Sequence, residues 1–141
     1  MVRPIKIEKD DVSPLALARG VNTRFNVWPD TLGSETIRMG VGYHEADMDD
    51  LPFSGNVEEA FYVAEGTIKV VWERDDGEEE EIVVREGEQI FLPKGLRFKL
   101  RATGEPAINV FAAGTTPTSE ARVKAAARLR SKLEKAPAST S

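Results

Sequence analysis

Cysteine is missing altogether from this 141-residue chain. Disulfides, thiolate metal sites and a cysteine nucleophile are therefore excluded together. Histidine is nearly missing as well: His44 is the only one. Zinc and iron sites usually take several nitrogen or sulfur ligands, so such a site would be atypical here. No segment approaches the ~20 apolar residues a membrane helix needs. The opening stretch, residues 1–10, has no apolar run of signal-peptide length. A basic surplus is also lacking, since the net charge is −5, which argues against a general nucleic-acid binder. The expectation is a soluble cytoplasmic protein of one domain, with neither nucleic acid nor membrane as partner.

Against these absences stands a series of short β-type runs between Glu35 and Gly114. Ile37, Met39, Val41 and Tyr43 alternate with Arg38, Gly40, Gly42 and His44, as a half-buried strand does. Ala60–Val63 and Ile68–Trp72 follow, and Arg74-Asp75-Asp76-Gly77 supplies turn chemistry before Ile82–Val84, which predicts a hairpin. Gln89–Leu92, Arg97–Ala102 and Ala107–Ala112 complete the run. Such spacing predicts an all-β antiparallel sandwich or barrel. Upstream, Ile5–Ile7 reads as a short strand, and Ser13-Pro14 as the start of a brief helix over Leu15–Arg19. Downstream, Thr115–Glu120 reads as a helix entry, Ala121–Lys135 as a helix and residues 136–141 as a disordered end. The predicted division is residues 1–116, a barrel with an N-terminal strand arm, and 117–141, a basic C-terminal helix and tail. Residues 118–137 carry a net +4, so the remainder carries −9.

Two glycine-anchored segments carry the most information. They are Glu59-Ala60-Phe61-Tyr62-Val63-Ala64-Glu65-Gly66 and Gly87-Glu88-Gln89-Ile90-Phe91-Leu92-Pro93-Lys94-Gly95. Their glycines and proline suit tight reversals between strands. Together they resemble the paired signature of the cupin superfamily over roughly residues 37–112, which implies a single cupin-type jelly-roll barrel. Where that family usually places metal-binding histidines, this chain has Phe98, and Phe53 with Gly55 or Pro52 with Ser54. The resemblance therefore implies no metal cofactor. Within the superfamily, the stretch from Met39-Gly40-Val41-Gly42-Tyr43 through Asp47, Leu51–Ser54, Asn56 and Glu58-Glu59 is similar to the EutQ-like cupins. Phe91-Leu92-Pro93-Lys94-Gly95 is similar to them too. That likeness implies an association with ethanolamine catabolism in bacterial microcompartments and with an acetate kinase activity. Compared with the full-length pattern of that family, the expectation is a chain without the long N-terminal region and its targeting segment. No Gly-x-x-x-x-Gly-Lys-Ser/Thr loop is present to cradle phosphates.

Glu59 is the leading catalytic candidate. The family pattern turns it into the barrel, and strand alternation places Phe61 and Val63 on its face. A carboxylate among apolar groups has its pKa raised and can act as a general acid or base. The plainer reading is a Glu held by a local hydrogen bond or open to solvent. His44 either pairs with Glu59, as an acid/base couple or as a second metal ligand, or is simply a surface strand residue. On a regular strand it faces opposite to Tyr43, a further candidate proton donor, so the two cannot share a cavity. Phe53, Phe61, Ile90 and Phe98 are the expected ligand-binding residues, with Leu100 inward as well, giving an apolar pocket for a small organic molecule. Residues 75–81 read as a solvated hairpin tip, and Asp47, Asp49 and Asp50 as a charged loop or a weak cation site. The apolar stripe Val123, Ala126, Leu129 and Leu133 predicts that the basic helix docks on its own acidic barrel or on a second subunit of a homodimer.

Overall fold

Alternation accounts for most of the strands in the computed structural model of the chain, which describes residues 2–114 and 119–135. On β5 (Glu59–Glu65), Phe61 and Val63 are buried while Tyr62 and Ala64 are exposed. This two-residue period belongs to a strand with one face in a core. The same pattern recurs on β6 (Thr67–Glu73) and β9 (Phe98–Arg101), where Ile68, Val70, Phe98 and Leu100 are buried. Two antiparallel sheets result. With β1 (Leu15–Ala18), β2 (Val21–Val27), β3 (Met39–His44), β8 (Gln89–Leu92) and β10 (Ala107–Ala113), the larger runs β1-β2-β3-β10-β5-β8. The smaller, completed by β4 (Leu51–Phe53) and β7 (Glu79–Arg85), runs β4-β9-β6-β7. Their apolar faces form one core, from Val21, Phe61 and Leu92 in one sheet to Val70, Val84 and Leu100 in the other. The predicted hairpin is β6–β7, paired from Thr67↔Arg85 to Glu73↔Glu79.

Gly66 alone separates β5 from β6 and has φ +73°. A Cβ there would also strike the carbonyl oxygen of Pro106, so both backbone angle and space require glycine.

The N-terminal third departs from expectation. Leu15–Ala18 is a strand, not a helix, paired with β2 through Leu15↔Thr23 and Ala16↔Asn22. Four residues before a positive-φ Gly20 are too few for stable helical hydrogen bonding, whereas they suffice for one arm of a hairpin. Ile5–Ile7 forms no strand and joins neither sheet.

The C-terminal helix is two segments, α2 (Glu120–Ala125) and α3 (Ala127–Lys135), broken at Ala126. Ser119 caps α2 by accepting a hydrogen bond from the Arg122 backbone N–H. The helices dock on their own chain: Ala126 and Leu129 are fully buried, and Leu129 alone contributes ~2 kcal/mol by burial. Lys132 reaches Asp11 at 2.9 Å, and the Ser13 N–H donates to the Ala125 carbonyl at 2.8 Å. The predicted helix entry at residues 115–118, the domain boundary at 116–117 and the disordered end at 136–141 lie outside the described residues. No helix among the described residues is long and apolar enough to cross a membrane.

Candidate active site

Between the sheets lies a cavity of about 170 Å³. Its walls come from β2 (Thr23, Phe25), β3 (Gly42, His44), β5 (Glu59, Phe61) and β10 (Asn109, Phe111, Ala113), with Phe53 of β4 and Leu100 of β9 opposite. Aromatic rings dominate. Phe25, Trp28 and Phe111 meet edge to face at centroid distances of 5.0–6.0 Å, and Phe53 stacks on Phe98 at 4.7 Å. Such pairs each add ~1 kcal/mol beyond burial and keep the walls stiff.

Glu59 stands at the edge of this space. In the larger sheet its neighbours are Leu92 on one side and Ala113 on the other. Its carboxylate has no hydrogen bond or ion pair among the described residues, and burial alone raises its pKa from 4.5 to about 7. Phe53, Val57 and Glu59 also line a second cavity, of about 190 Å³, formed by residues 53–57 with Phe98. Glu59 is therefore the polar group common to both spaces.

His44 faces inward and is buried. Its Nε2 lies 3.0 Å from Asn109 Oδ1. An amide oxygen only accepts, so the ring carries its proton on Nε2, and Nδ1 is left buried without a partner. Desolvation lowers the His44 pKa below 6.5, opposed by the Asn109 bond. Because the chain has one histidine, NMR reads this ring without ambiguity. The midpoint of its Cε1–H shift against pH should lie below 6.5. A midpoint at or above 6.5 would show that the ring is not desolvated.

His44 and Glu59 share a cavity but not a reaction centre. His44 pairs with Ala107 and Glu59 with Ala113, six residues apart on β10. At ~3.3 Å per residue that is on the order of 20 Å, more than two side chains of this length bridge. Burial acts on both groups and Asn109 on His44, but neither acts on the other. The expected acid/base couple and two-ligand metal site are thus not assembled. Tyr43 is corrected as well. It lies on the opposite face of β3, with the Arg24 guanidinium 5.7 Å from its ring centre. Of the expected ligand-binding residues, Phe53 and Phe61 line the main cavity and Phe98 the second. Ile90 packs on the core beside Phe61, outside either wall. Asp47 and Asp49 pair with Arg19, and Asp50 with Arg101 at 3.0 Å, so these carboxylates are engaged in ion pairs.

Among the residues that escaped the sequence reading are Asn109 and Arg122 in the wall and Asp30 behind it. Asn109 lies in a run that reads simply as strand. Arg122 comes from α2 and closes the cavity between Phe25 and Trp28, its charge 5.5 Å from each ring centre. Asp30 holds it there, 2.9 Å from Arg122 Nε, and is 3% exposed. The one available signal was Gly42. A side chain there would collide with Asn109 Oδ1 and crowd His44 Nε2, so this glycine marks where the polar pair crosses the strand.

Two facing antiparallel sheets around an internal cavity define a jelly-roll barrel. The cupin family profile matches residues 48–135, and the chain belongs to the cupin family. Its fold is similar to ethanolamine utilization protein Q from Salmonella typhimurium LT2 (20% identity, TM-score 0.55, covering 67% of this chain and 68% of that one). It is also similar to the EutQ protein of Clostridium difficile (20% identity, TM-score 0.57, covering 78% and 80%). A single-residue variant of Bacillus subtilis oxalate decarboxylase aligns at 20% identity and TM-score 0.67, over 87% of this chain but 32% of the decarboxylase. No curated protein sequence matches significantly.

Oxalate decarboxylase from Bacillus subtilis has Mn(II) centres, and the donor set here can be compared with that requirement. Among the described residues, no three His, Asp or Glu side chains gather in a way that could hold an ion. Among the described residues of the cavity wall, the only such groups are His44, with Nε2 committed to Asn109, and Glu59 at the far end. These two side chains do not by themselves make up the donor set of a transition-metal centre.

Proposed function

We propose that this chain is a cupin-domain protein that binds a small organic metabolite in its barrel, with Glu59 as a metal-independent acid/base of isomerase or lyase type. The observation that carries this reading is a half-buried carboxylate, unpaired among the described residues, at the junction of two apolar cavities. A general base works best with a pKa near the operating pH, and burial brings Glu59 to about 7. Proton transfer then needs only a substrate C–H or O–H held against Glu59 by the aromatic walls.

The EutQ likeness, at 20% identity, supports a role in ethanolamine utilization only through the shared fold. Function in the cytoplasm and as a homodimer belong to the same proposal. For the dimer, support comes from the outer face of the larger sheet. There Val41–Val110–Tyr62 and Met39–Ala112–Ala60–Phe91 form cross-strand apolar rows, with Tyr62 and Phe91 exposed.

The test is proton exchange. Small carbonyl and hydroxy metabolites are incubated with the protein in D₂O containing a chelator, and deuterium incorporation at carbon is followed by NMR. Exchange should survive the chelator and fall at least a hundredfold in Glu59→Gln. Exchange that the chelator abolishes, or that the variant retains, would remove Glu59 from the role.

A further inference from the structure

Resting on the reading of this cavity as a metabolite pocket centred on Glu59, we propose that its ligand is a small organic cation. The fitting class is a protonated amine on a hydrocarbon body, its ammonium seated against the Glu59 carboxylate.

The argument begins with the charges in the wall. Among the described residues, Arg122 is the one cation lining the main cavity, and Asp30 already answers it with Nε–oxygen contacts of 2.9 and 3.2 Å. His44 is held neutral by desolvation, its Nε2–H spent on Asn109. Glu59 has no counter-charge at all among the described residues. An ionised Glu59 therefore leaves the site one negative charge in excess, in surroundings where an unpaired charge costs several kcal/mol. A ligand that brings a positive charge removes that cost. One that brings a carboxylate adds to it.

Ring chemistry points the same way. Phe53 and Phe61 line the wall beside Glu59, and Phe53 is stacked on Phe98. The π-faces of aromatic rings attract ammonium groups, most strongly where water is excluded. The protein already uses this affinity elsewhere in the cavity wall, where the Arg122 guanidinium lies over Phe25 and Trp28.

Seating an ammonium group is coupled to ionisation of the carboxylate. Glu59 gives up its proton to solvent when the cation arrives. Affinity should accordingly rise with pH as Glu59 ionises. The other titratable groups facing this space do not obscure the effect. Desolvation lowers the pKa of His44 on β3 and so favours its neutral form, and Arg122 on α2 is paired with Asp30. The flanking residues Ala113 on β10 and Leu92 on β8 carry no charge. Glu58, next in the chain, is exposed to solvent.

The test uses butylamine, butyrate and butanol as probes of equal hydrocarbon length, titrated into the whole chain at pH 6 and pH 8 and followed by NMR. Butylamine should bind best, with an affinity rising about tenfold between the two pH values. Glu59→Gln should lose that rise and weaken butylamine at least tenfold at pH 8. Because this change removes a buried carboxylate and keeps the side chain's shape, the fold is retained. Butyrate binding more tightly than butylamine would overturn the cation assignment while leaving the metabolite pocket intact. So would butanol binding equally well with no pH dependence. If none of the three bound, the pocket reading itself would fall.

Discussion

Replacing Asp30 with Asn should lower stability by about 3 kcal/mol, the cost of removing one member of a largely buried ion pair. For a domain of this size the midpoint of thermal unfolding should drop by about 10 °C. Asp30 is 3% exposed and the Arg122 side chain 14%, so water can replace the lost interaction only in part. The same carboxylate also accepts a hydrogen bond from the Ser119 N–H at 2.8 Å, just ahead of α2. One residue on the barrel thereby fixes both the start of the C-terminal helix and the cation that closes the cavity. The Asn side chain can still accept from Ser119 but cannot neutralise Arg122. Trypsin should accordingly cut the variant faster at Arg128, Arg130 and Lys132 than the parent. A midpoint change below about 2 °C would show that Arg122 draws its compensation from elsewhere.

The second large effect has the opposite sign. Glu59→Gln should stabilise the fold, and only at neutral and alkaline pH. Below pH 4.5 the carboxyl is protonated whether the chain is folded or unfolded, and parent and variant should unfold alike. Between 4.5 and 7 the unfolded chain releases a proton that the folded chain retains. The parent loses stability through that window relative to the variant. Above about 7 the difference levels off, on the order of 3 kcal/mol from the shift in pKa. Denaturant unfolding of both proteins at pH 4, 6 and 8 measures it directly. Equal stabilities at pH 8 would mean that Glu59 is solvated in the folded protein. They would undercut both its role as a tuned base and its role as an unanswered charge.

Much of the fold was legible because it is local. Alternation marked β5, β6, β8, β9 and β10, and the Asp-Asp-Gly turn marked the β6–β7 hairpin. The strand β2 was equally visible in Val21-Asn22-Thr23-Arg24-Phe25-Asn26-Val27, a clean alternation overlooked beside the turn residues around Trp28-Pro29. The helix expected at Leu15 failed for a different reason. Ser-Pro opens helices by local chemistry, but here the partner strand six residues on decided the matter.

The site was legible in part. Glu59 and the loss of histidines followed from motif positions, and His44 faces the cavity as the alternation with Tyr43 allows. The pairing of Glu59 with His44 could not be judged without knowing that both strands pair with β10, and at which rungs. Nor does any local signal join Asp30 to Arg122, 92 positions apart.

Gly40 and Gly42 work as missing teeth in β3. Phe111 fills the first gap and the Asn109 amide the second, each reaching over from β10. The two strands are keyed like a lock, so neither can slide along the other without driving a ring or an amide into a neighbour's bulk. For anyone reshaping this barrel, positions 42 and 109 form a single unit of design: what is added at one must be taken from the other.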